Sequence, residues 1–262
     1  MKALADVFHV AGRELRSYFV SPIAYVVLTG YVVLSGWFFF NLLVQFNRVL
    51  GMYEMMRRQD VAMQMNLNDM VMTPLFYNMT IVLLIMIPLI TMRLFAEEKK
   101  LKTDELLLTS PLSIQSIVTG KYLASLCFFV LILLLTGIYP WILFHYGSPA
   151  PEAGSILAGY LGLFLLGSSF IAVGLFASSL TENQIVAAVI CFVTLLLFFV
   201  IGWPAETVGS TPGKVLQYLS LIEHFNDFPK GLIESRHLVF FVSFILFALF
   251  LTKRSIESFR WR

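Results

Sequence analysis

Long apolar runs alternate with short polar segments along the chain. About 20 apolar residues are enough for a helix to cross the hydrocarbon core of a bilayer. Six runs approach that length, and the last is short enough to need flanking residues or a locally thinned membrane. The pattern therefore predicts an all-α integral membrane fold over residues 1–262, with six spans at Ile23–Val44, Thr73–Met92, Tyr122–Tyr146, Ser155–Ala177, Ile185–Trp203 and Leu238–Thr252.

Composition supports a membrane protein and argues against several other classes. Hydrophobic residues make up 58% of the chain and charged residues 13%, whereas soluble domains carry about 25% charged residues. A net charge of +2 without a basic cluster in a polar context argues against nucleic acid as a partner. Cys127 and Cys191 both fall inside apolar runs, so we expect no disulfide and no metal framework.

The distribution of Lys and Arg predicts the orientation of the chain. If both termini are cytoplasmic, twelve of the 18 basic residues lie in inner segments. Such an excess is typical of the cytoplasmic side of a membrane. The remaining six lie in the outer segments Met52–Met72 and 204–237 or at the end of the first span: Arg48, Arg57, Arg58, Lys214, Lys230 and Arg236.

Residues 1–21 form an amphipathic segment ahead of the first span. At helical spacing its apolar residues share one face, and Lys2, Arg13 and Arg16 share the opposite face. This pattern is typical of a helix that lies in the membrane interface, and Pro22 interrupts it. Two interpretations stay open, a surface anchor and a docking element for a partner. The apolar face comprises Leu4, Val7, Phe8, Ala11, Leu15, Tyr18 and Phe19.

The inner segment 93–121 is highly charged. Leu94, Leu101 and Leu108 recur every seven residues in it, and Glu98 precedes Lys102 by one helical turn. The pattern predicts an extension of the second span and a short helix that ends near Ser110-Pro111. A solvated hairpin would account for the charge. An apolar seam in a water-facing loop instead favours a partner surface.

Residues 98–113, EKKLKTDELLLTSPLS, resemble the cytoplasmic-loop signature of ABC type-2 exporter permeases, closest to the gliding-motility permease branch. The resemblance extends to the amphipathic N-terminal helix, the six spans and residues 218–225, YLSLIEHF. One position departs from the family pattern, because Lys102 stands where glycine is common.

The resemblance implies a permease subunit that dimerises with the same chain or a related one and binds two copies of an ATPase subunit. It implies a multi-pass protein of the bacterial inner membrane, surrounded by lipid, in which 93–121 is the coupling loop. This chain has no phosphate-binding loop of its own, so ATP and Mg would be bound by the partner. The expected coupling residues are Arg93, Phe95, Glu97, Glu98, Leu101, Thr103, Glu105, Ser110 and Pro111.

Two further polar segments are candidate sites. Thr181 and Gln184 have the spacing of a helix capping box, which accounts for them structurally. The same string, including Asn183, occurs in the resembling permeases and is a secondary coupling candidate. On the outer side, the amphipathic stretch Val215–Phe228 predicts a re-entrant or interfacial helix, whose polar face could form an exit gate or simply lie at the interface. Its polar and aromatic gate candidates are Tyr218, Ser220, Glu223, His224 and Asp227.

We expect no catalytic, cofactor or metal site in the chain. Methionines are frequent between Met52 and Met72, but no Cys or His accompanies them. They are therefore better explained as adaptable apolar filler than as a copper site. The predicted function is export of an amphiphilic, lipid-like or polymeric substrate, or the driving of an envelope machine such as gliding motility. The alternatives are a non-transporting scaffold and an ATP-independent channel.

Overall fold

A computed structural model of the chain describes residues 2–56, 65–103, 112–147, 150–204 and 210–259. These residues form helices and no strands, which confirms the all-α prediction. A π-helical turn, Asn68–Met72, and a 3-10 turn, Phe228–Lys230, join the longer elements. The helices are α1 (Lys2–Val20), α2 (Pro22–Met55), α3 (Thr73–Thr91), α4 (Arg93–Lys100), α5 (Ile114–Thr136), α6 (Ile138–Tyr146), α7 (Ala153–Leu180), α8 (Gln184–Val200), α9 (Ser210–Leu219), α10 (Leu221–Phe225) and α11 (Ser235–Phe259).

Within the described residues, five helical stretches are long and apolar enough to cross a membrane. The last of them, Ser235–Ser258, takes in the flanking residues that the short sixth run needed. Helix α8 is apolar but has only 17 residues, at the lower limit for a span. It nevertheless contacts both α4, at one end of the bundle, and α10, at the other. Six crossings therefore stay a prediction, which the extent of α8 favours.

Helix α7 forms the centre of the bundle and packs against α3, α5, α8 and α11. Its glycines allow neighbouring helices to approach closely. A methyl group at Gly159 would lie 2.3 Å from the Phe76 ring, and one at Gly174 would overlap the Thr91 side chain. The glycines of α7 therefore pack against other helices of the same subunit.

The predicted inner and outer segments collect at opposite ends of the bundle. At one end, the Lys99 ammonium and the Ser255 hydroxyl both donate to the Ser179 carbonyl oxygen, at 2.5 and 3.3 Å. At the other end, Asn68 donates to the Glu152 carbonyl oxygen and Thr73 to that of Pro229. We call these the α4 end and the α10 end. The grouping agrees with the predicted topology, in which the α4 end is cytoplasmic.

Candidate functional site

Helix α4 continues α3 after a break at Met92, as the extension of the second span predicts. The break has a local cause, because a serine side chain enters the helical hydrogen-bond ladder. Ser178 Oγ accepts from the backbone amides of Phe95 and Ala96, at 3.0 and 3.1 Å, and donates to the Met92 carbonyl oxygen at 2.9 Å. Helix α4 is therefore fixed to the last turn of α7.

The N-terminal helix α1 packs along α5. The two backbones approach closely at Gly120, where an added methyl group would lie 2.8 Å from Val10 Cβ. Farther along, the Tyr18 hydroxyl pairs with Ser125 Oγ at 2.9 Å, and the Tyr18 ring stacks on Phe128. Burial raises the pKa of the Tyr18 hydroxyl well above its ordinary value. Part of the apolar side of α1 therefore packs on its own bundle, whereas Leu4, Phe8 and Phe19 stay exposed.

Lys121 connects α1, α4 and α5 through a buried cluster of charges. Its side chain is 1% exposed, and its ammonium lies 2.9 Å from Glu98 Oε1 and 3.2 Å from Glu14 Oε2. It also donates to the Leu94 carbonyl oxygen at 2.6 Å. Arg13 reaches the same Glu98 oxygen at 3.2 Å. Two carboxylates and one carbonyl oxygen thus compensate a buried cation.

The structure corrects two expectations for this segment. Glu98 pairs with Arg13 and Lys121, so the expected local pairing with Lys102 is wrong. The apolar seam is also wrong in part, because Leu94 and Phe95 are buried in the bundle. Of the seam leucines that are described, only Leu101 is exposed, at 65%. Leu108 lies outside the described residues.

The other coupling candidates lie near α4 or outside the described residues. Arg93 stacks over the Tyr18 ring, with its guanidinium carbon 4.8 Å from the ring centre. Glu97 is half-buried on α4. Thr103 caps the end of the helix, with its amide and hydroxyl both donating to the Glu98 carbonyl oxygen. Glu105, Ser110 and Pro111 lie outside the described residues.

Lys102 adopts a left-handed backbone conformation, with φ of 54°. Glycine reaches this conformation without the steric conflict that a Cβ atom creates. The position where resembling permeases commonly carry glycine is thus a turn that favours glycine. In this chain a lysine occupies that turn.

The polar connection between α7 and α8 is capped by a residue other than the expected one. Asn183 accepts from the amides of Ile185 and Val186, so it is the N-cap of α8. Thr181 Oγ1 instead accepts from the Asn183 amide at 3.1 Å. The predicted capping box of Thr181 with Gln184 is therefore wrong, because the side-chain oxygen of Asn183, and not that of Thr181, accepts from the unpaired backbone amides in the first turn of α8.

The outer candidates gather around a polar cavity of about 430 Å³ at the α10 end. Tyr218, Glu223, His224 and Asp227 line this cavity. Ser220 is completely buried, and its hydroxyl has no hydrogen-bond partner among the described residues. The structure therefore brings four of the five predicted gate residues to one cavity.

Histidines form a buried chain at one side of this cavity. His224 Nε2 lies 2.9 Å from the Tyr218 carbonyl oxygen, and its Nδ1 lies 2.7 Å from Nδ1 of His237. His237 Nε2 in turn lies 3.1 Å from Asp227 Oδ2. Burial is the main cause that lowers the pKa of His224, and neutral imidazole is favoured there.

Sequence reasoning missed Lys121, Glu14, Ser178 and His237. A usable signal existed for Lys121, which is a lone cation at the start of an apolar run, with no acidic residue in the turn before or after it. Such a residue needs a compensating charge from elsewhere in the fold. His237 offered a similar signal at the start of the last run.

The family model of the ABC-2 family transporter protein matches residues 53–222. This range is more than half of the 262 residues. The chain therefore belongs to the ABC-2 transporter family, and it is a multi-pass membrane protein of the permease type. No curated protein matches the chain.

Proposed function

We propose that the chain is the permease subunit of an ATP-driven exporter, and that α4 with the following turn is its contact with a separate ATPase subunit. The observation that carries this proposal is the exposure of Leu101 at the end of a short helix whose first turn is hydrogen-bonded to α7. An exposed apolar side chain beside Lys100 and Lys102 is suited to insertion into a partner's cleft. ATP and Mg belong to that partner.

Two rigid connections support the coupling role of α4. Ser178 ties the start of the helix to α7, and Lys121 ties Glu98 to α1 and α5. A displacement of α4 by the partner therefore acts on three other helices, α1, α5 and α7. The Thr181–Gln184 connection, adjacent to Ser179, is a second contact candidate.

The passage in this proposal lies between two permease subunits. Helix α8 carries a ridge of exposed apolar residues at helical spacing, Ile185, Val189 and Val193 among them. This ridge runs from the Thr181–Gln184 connection toward the outer cavity. The proposed substrate is amphiphilic, lipid-like or polymeric. The alternative is that the same ATP-driven movement powers an envelope machine such as gliding motility.

Co-purification with an ATPase subunit encoded beside the gene tests the contact. Leu101→Asp places a charge in the apolar contact, and we expect at least tenfold less ATPase subunit to be retained. Leu232→Asp is the matched control, because Leu232 is a similarly exposed leucine at the α10 end. Equal retention by the wild type and Leu101→Asp, with substrate-stimulated ATP hydrolysis intact, would overturn the assignment of α4.

Cross-linking tests the passage. A cysteine at Val193 in a background without Cys127 and Cys191 should form a dimer with a short bifunctional reagent in membranes. A structure of the assembled complex in which one subunit encloses a continuous cavity, with no second permease facing it, would rule out the shared passage.

A further inference from the structure

The buried histidine chain ends in a convergence of three ligand-type atoms. Nε2 of His237 and one carboxylate oxygen each from Asp227 and Glu234 all lie within 4.8 Å of one another. The residues come from the 3-10 turn region and the start of α11, next to the outer cavity. Imidazole nitrogen and carboxylate oxygen are the donors that zinc and related divalent ions accept.

The hydrogen bonds define which nitrogen of His237 carries the lone pair that an ion could use. A backbone carbonyl oxygen only accepts, so His224 Nε2 must carry the proton that it shares with Tyr218. In neutral imidazole the other nitrogen is then an acceptor. His237 Nδ1 must therefore donate to His224 Nδ1 across 2.7 Å, which leaves a lone pair on His237 Nε2.

That lone pair accepts from Arg236 Nε at 3.3 Å and also faces a carboxylate. His237 Nε2 lies 3.1 Å from Asp227 Oδ2 and 3.9 Å from Glu234 Oε2, and the His237 side chain is only 5% exposed. Two acceptors at this separation repel each other unless a cation lies between them. Donation of the opposite ring N–H to a neighbouring group is also the usual support of a metal-binding histidine.

We propose that His237, Asp227 and Glu234 bind a divalent metal ion of the zinc class, with His224 as the positioning residue. Ligands about 2 Å from a tetrahedral zinc ion lie about 3.3 Å apart. The 3.1 and 3.9 Å separations bracket that value, so the side chains need only small shifts. A water molecule from the cavity would complete the coordination.

Arg236 competes with the metal ion for the side chains of Asp227, Glu234 and His237. Its Nε lies 2.6 Å from Glu234 Oε2 and 3.3 Å from His237 Nε2, while its Nη2 lies 3.8 Å from Asp227 Oδ2. The guanidinium thus neutralises the ligand set when no ion is bound. Because the Arg236 side chain is 63% exposed, it can swing into solvent as the ion binds.

A second proton on His237 is the competing explanation of the short contact to Asp227. A proton would satisfy the pair of His237 and Asp227, and Glu234 would then be held by Arg236 alone. The two explanations differ in their response to metal and to the loss of Arg236. The inference concerns metal binding alone and does not depend on the proposed transport function.

Titration of the full chain in detergent with Co²⁺, followed by displacement with Zn²⁺, tests the proposal. The protein must be purified without a polyhistidine tag, since that tag binds the same ions. We expect one Co²⁺ per chain with the intense visible absorption of a tetrahedral site. His237→Ala should lower the affinity at least 100-fold, and His145→Ala, a histidine at the same end of the bundle, is the matched control.

Two further variants keep the test decisive if His237→Ala folds poorly. His224→Phe preserves the ring stacked on Phe240 but removes the acceptor for His237, and it should weaken binding 10- to 100-fold. Arg236→Gln should strengthen binding, because it removes the competing cation. Absence of Co²⁺ binding in both the wild type and Arg236→Gln would overturn the proposal, as would unchanged affinity in His237→Ala.

Discussion

Lys121 Nζ lies 2.9 Å from Glu98 Oε1, although the two residues belong to separate helices, α5 and α4. Glu14 brings a second carboxylate from α1 to the same ammonium. The interfacial helix and the proposed coupling helix are therefore joined through one buried cation. A buried charge is tolerated only while its partners are present, so these ion pairs are open to a direct test.

The double variant Glu14→Gln/Glu98→Gln should lower the free energy of unfolding by about 3 kcal/mol, because it leaves Lys121 buried without a counter-charge. Glu98→Gln alone should cost less, since Glu14 still neutralises the lysine. Denaturant unfolding in mixed micelles measures both values. Glu257→Gln is the control: its pairs with Lys253 and Arg254 are partly exposed, and its cost should stay within about 1 kcal/mol. A cost for the double variant no larger than this control would contradict the role of the ion pairs.

Gly120→Ala should loosen the contact between α1 and α5. The added methyl group meets Val10 at 2.8 Å, and such overpacking costs about 1–3 kcal/mol. Gly12→Ala in α1 meets nothing within 4 Å, so it should be neutral or stabilise the helix by up to about 1 kcal/mol. Limited proteolysis of α1, together with thermal unfolding, compares the two variants. Equal protease resistance would show that the contact tolerates a methyl group.

Lys102→Gly should relieve the strain of a left-handed lysine, which is about 1 kcal/mol. Part of that gain is lost because glycine adds freedom to the unfolded chain. We therefore expect a neutral or slightly stabilising effect, whereas Lys102→Val should destabilise the turn, because a β-branched side chain disfavours this conformation. The difference between the two variants in thermal unfolding is the measurement. If valine is tolerated as well as glycine, the positive φ at this position is not required.

Cysteine labelling tests the orientation. Lys214→Cys, exposed on α9, should react with a membrane-impermeant maleimide added to intact cells. Lys100→Cys, exposed on α4, should react only after permeabilisation. Both variants need a Cys127→Ala background, because Cys127 is exposed on the bundle surface. The reverse pattern would place the α4 end outside.

Local patterns predicted most of the helices. The amphipathic period of α1 and the apolar runs depend on neighbours in sequence, so they could be recognised directly. The burial of Lys121 depends on carboxylates from two other helices, at positions 14 and 98. No spacing rule connects those positions. The hydrogen-bonded chain of His224, His237 and Asp227 is likewise created by the fold. The sequence pattern of the outer segment indicated His224 and Asp227 but not His237.

Errors arose where two local choices competed. Thr181 and Asn183 are both good helix caps, and the actual start of α8 decides for Asn183. The seven-residue repeat of leucines suggested one continuous apolar seam. The break at Met92 instead turns Leu94 and Phe95 into the bundle. At Met92 the tertiary contact with Ser178 selected between arrangements that the sequence permits, whereas the hydrogen bonds of the Asn183 cap are local.

The adjacent residues Ser178 and Ser179 have a mechanical consequence. The hydroxyl of Ser178 binds both sides of the break at Met92, and the Ser179 carbonyl oxygen holds Lys99 of α4 and Ser255 of α11. These hydrogen bonds therefore restrict hinge motion of α4 relative to α3 at Met92. If the proposed ATPase contact is correct, we expect a force on α4 to tilt α7 and α11 together, because the Ser179 carbonyl oxygen holds both α4 and α11.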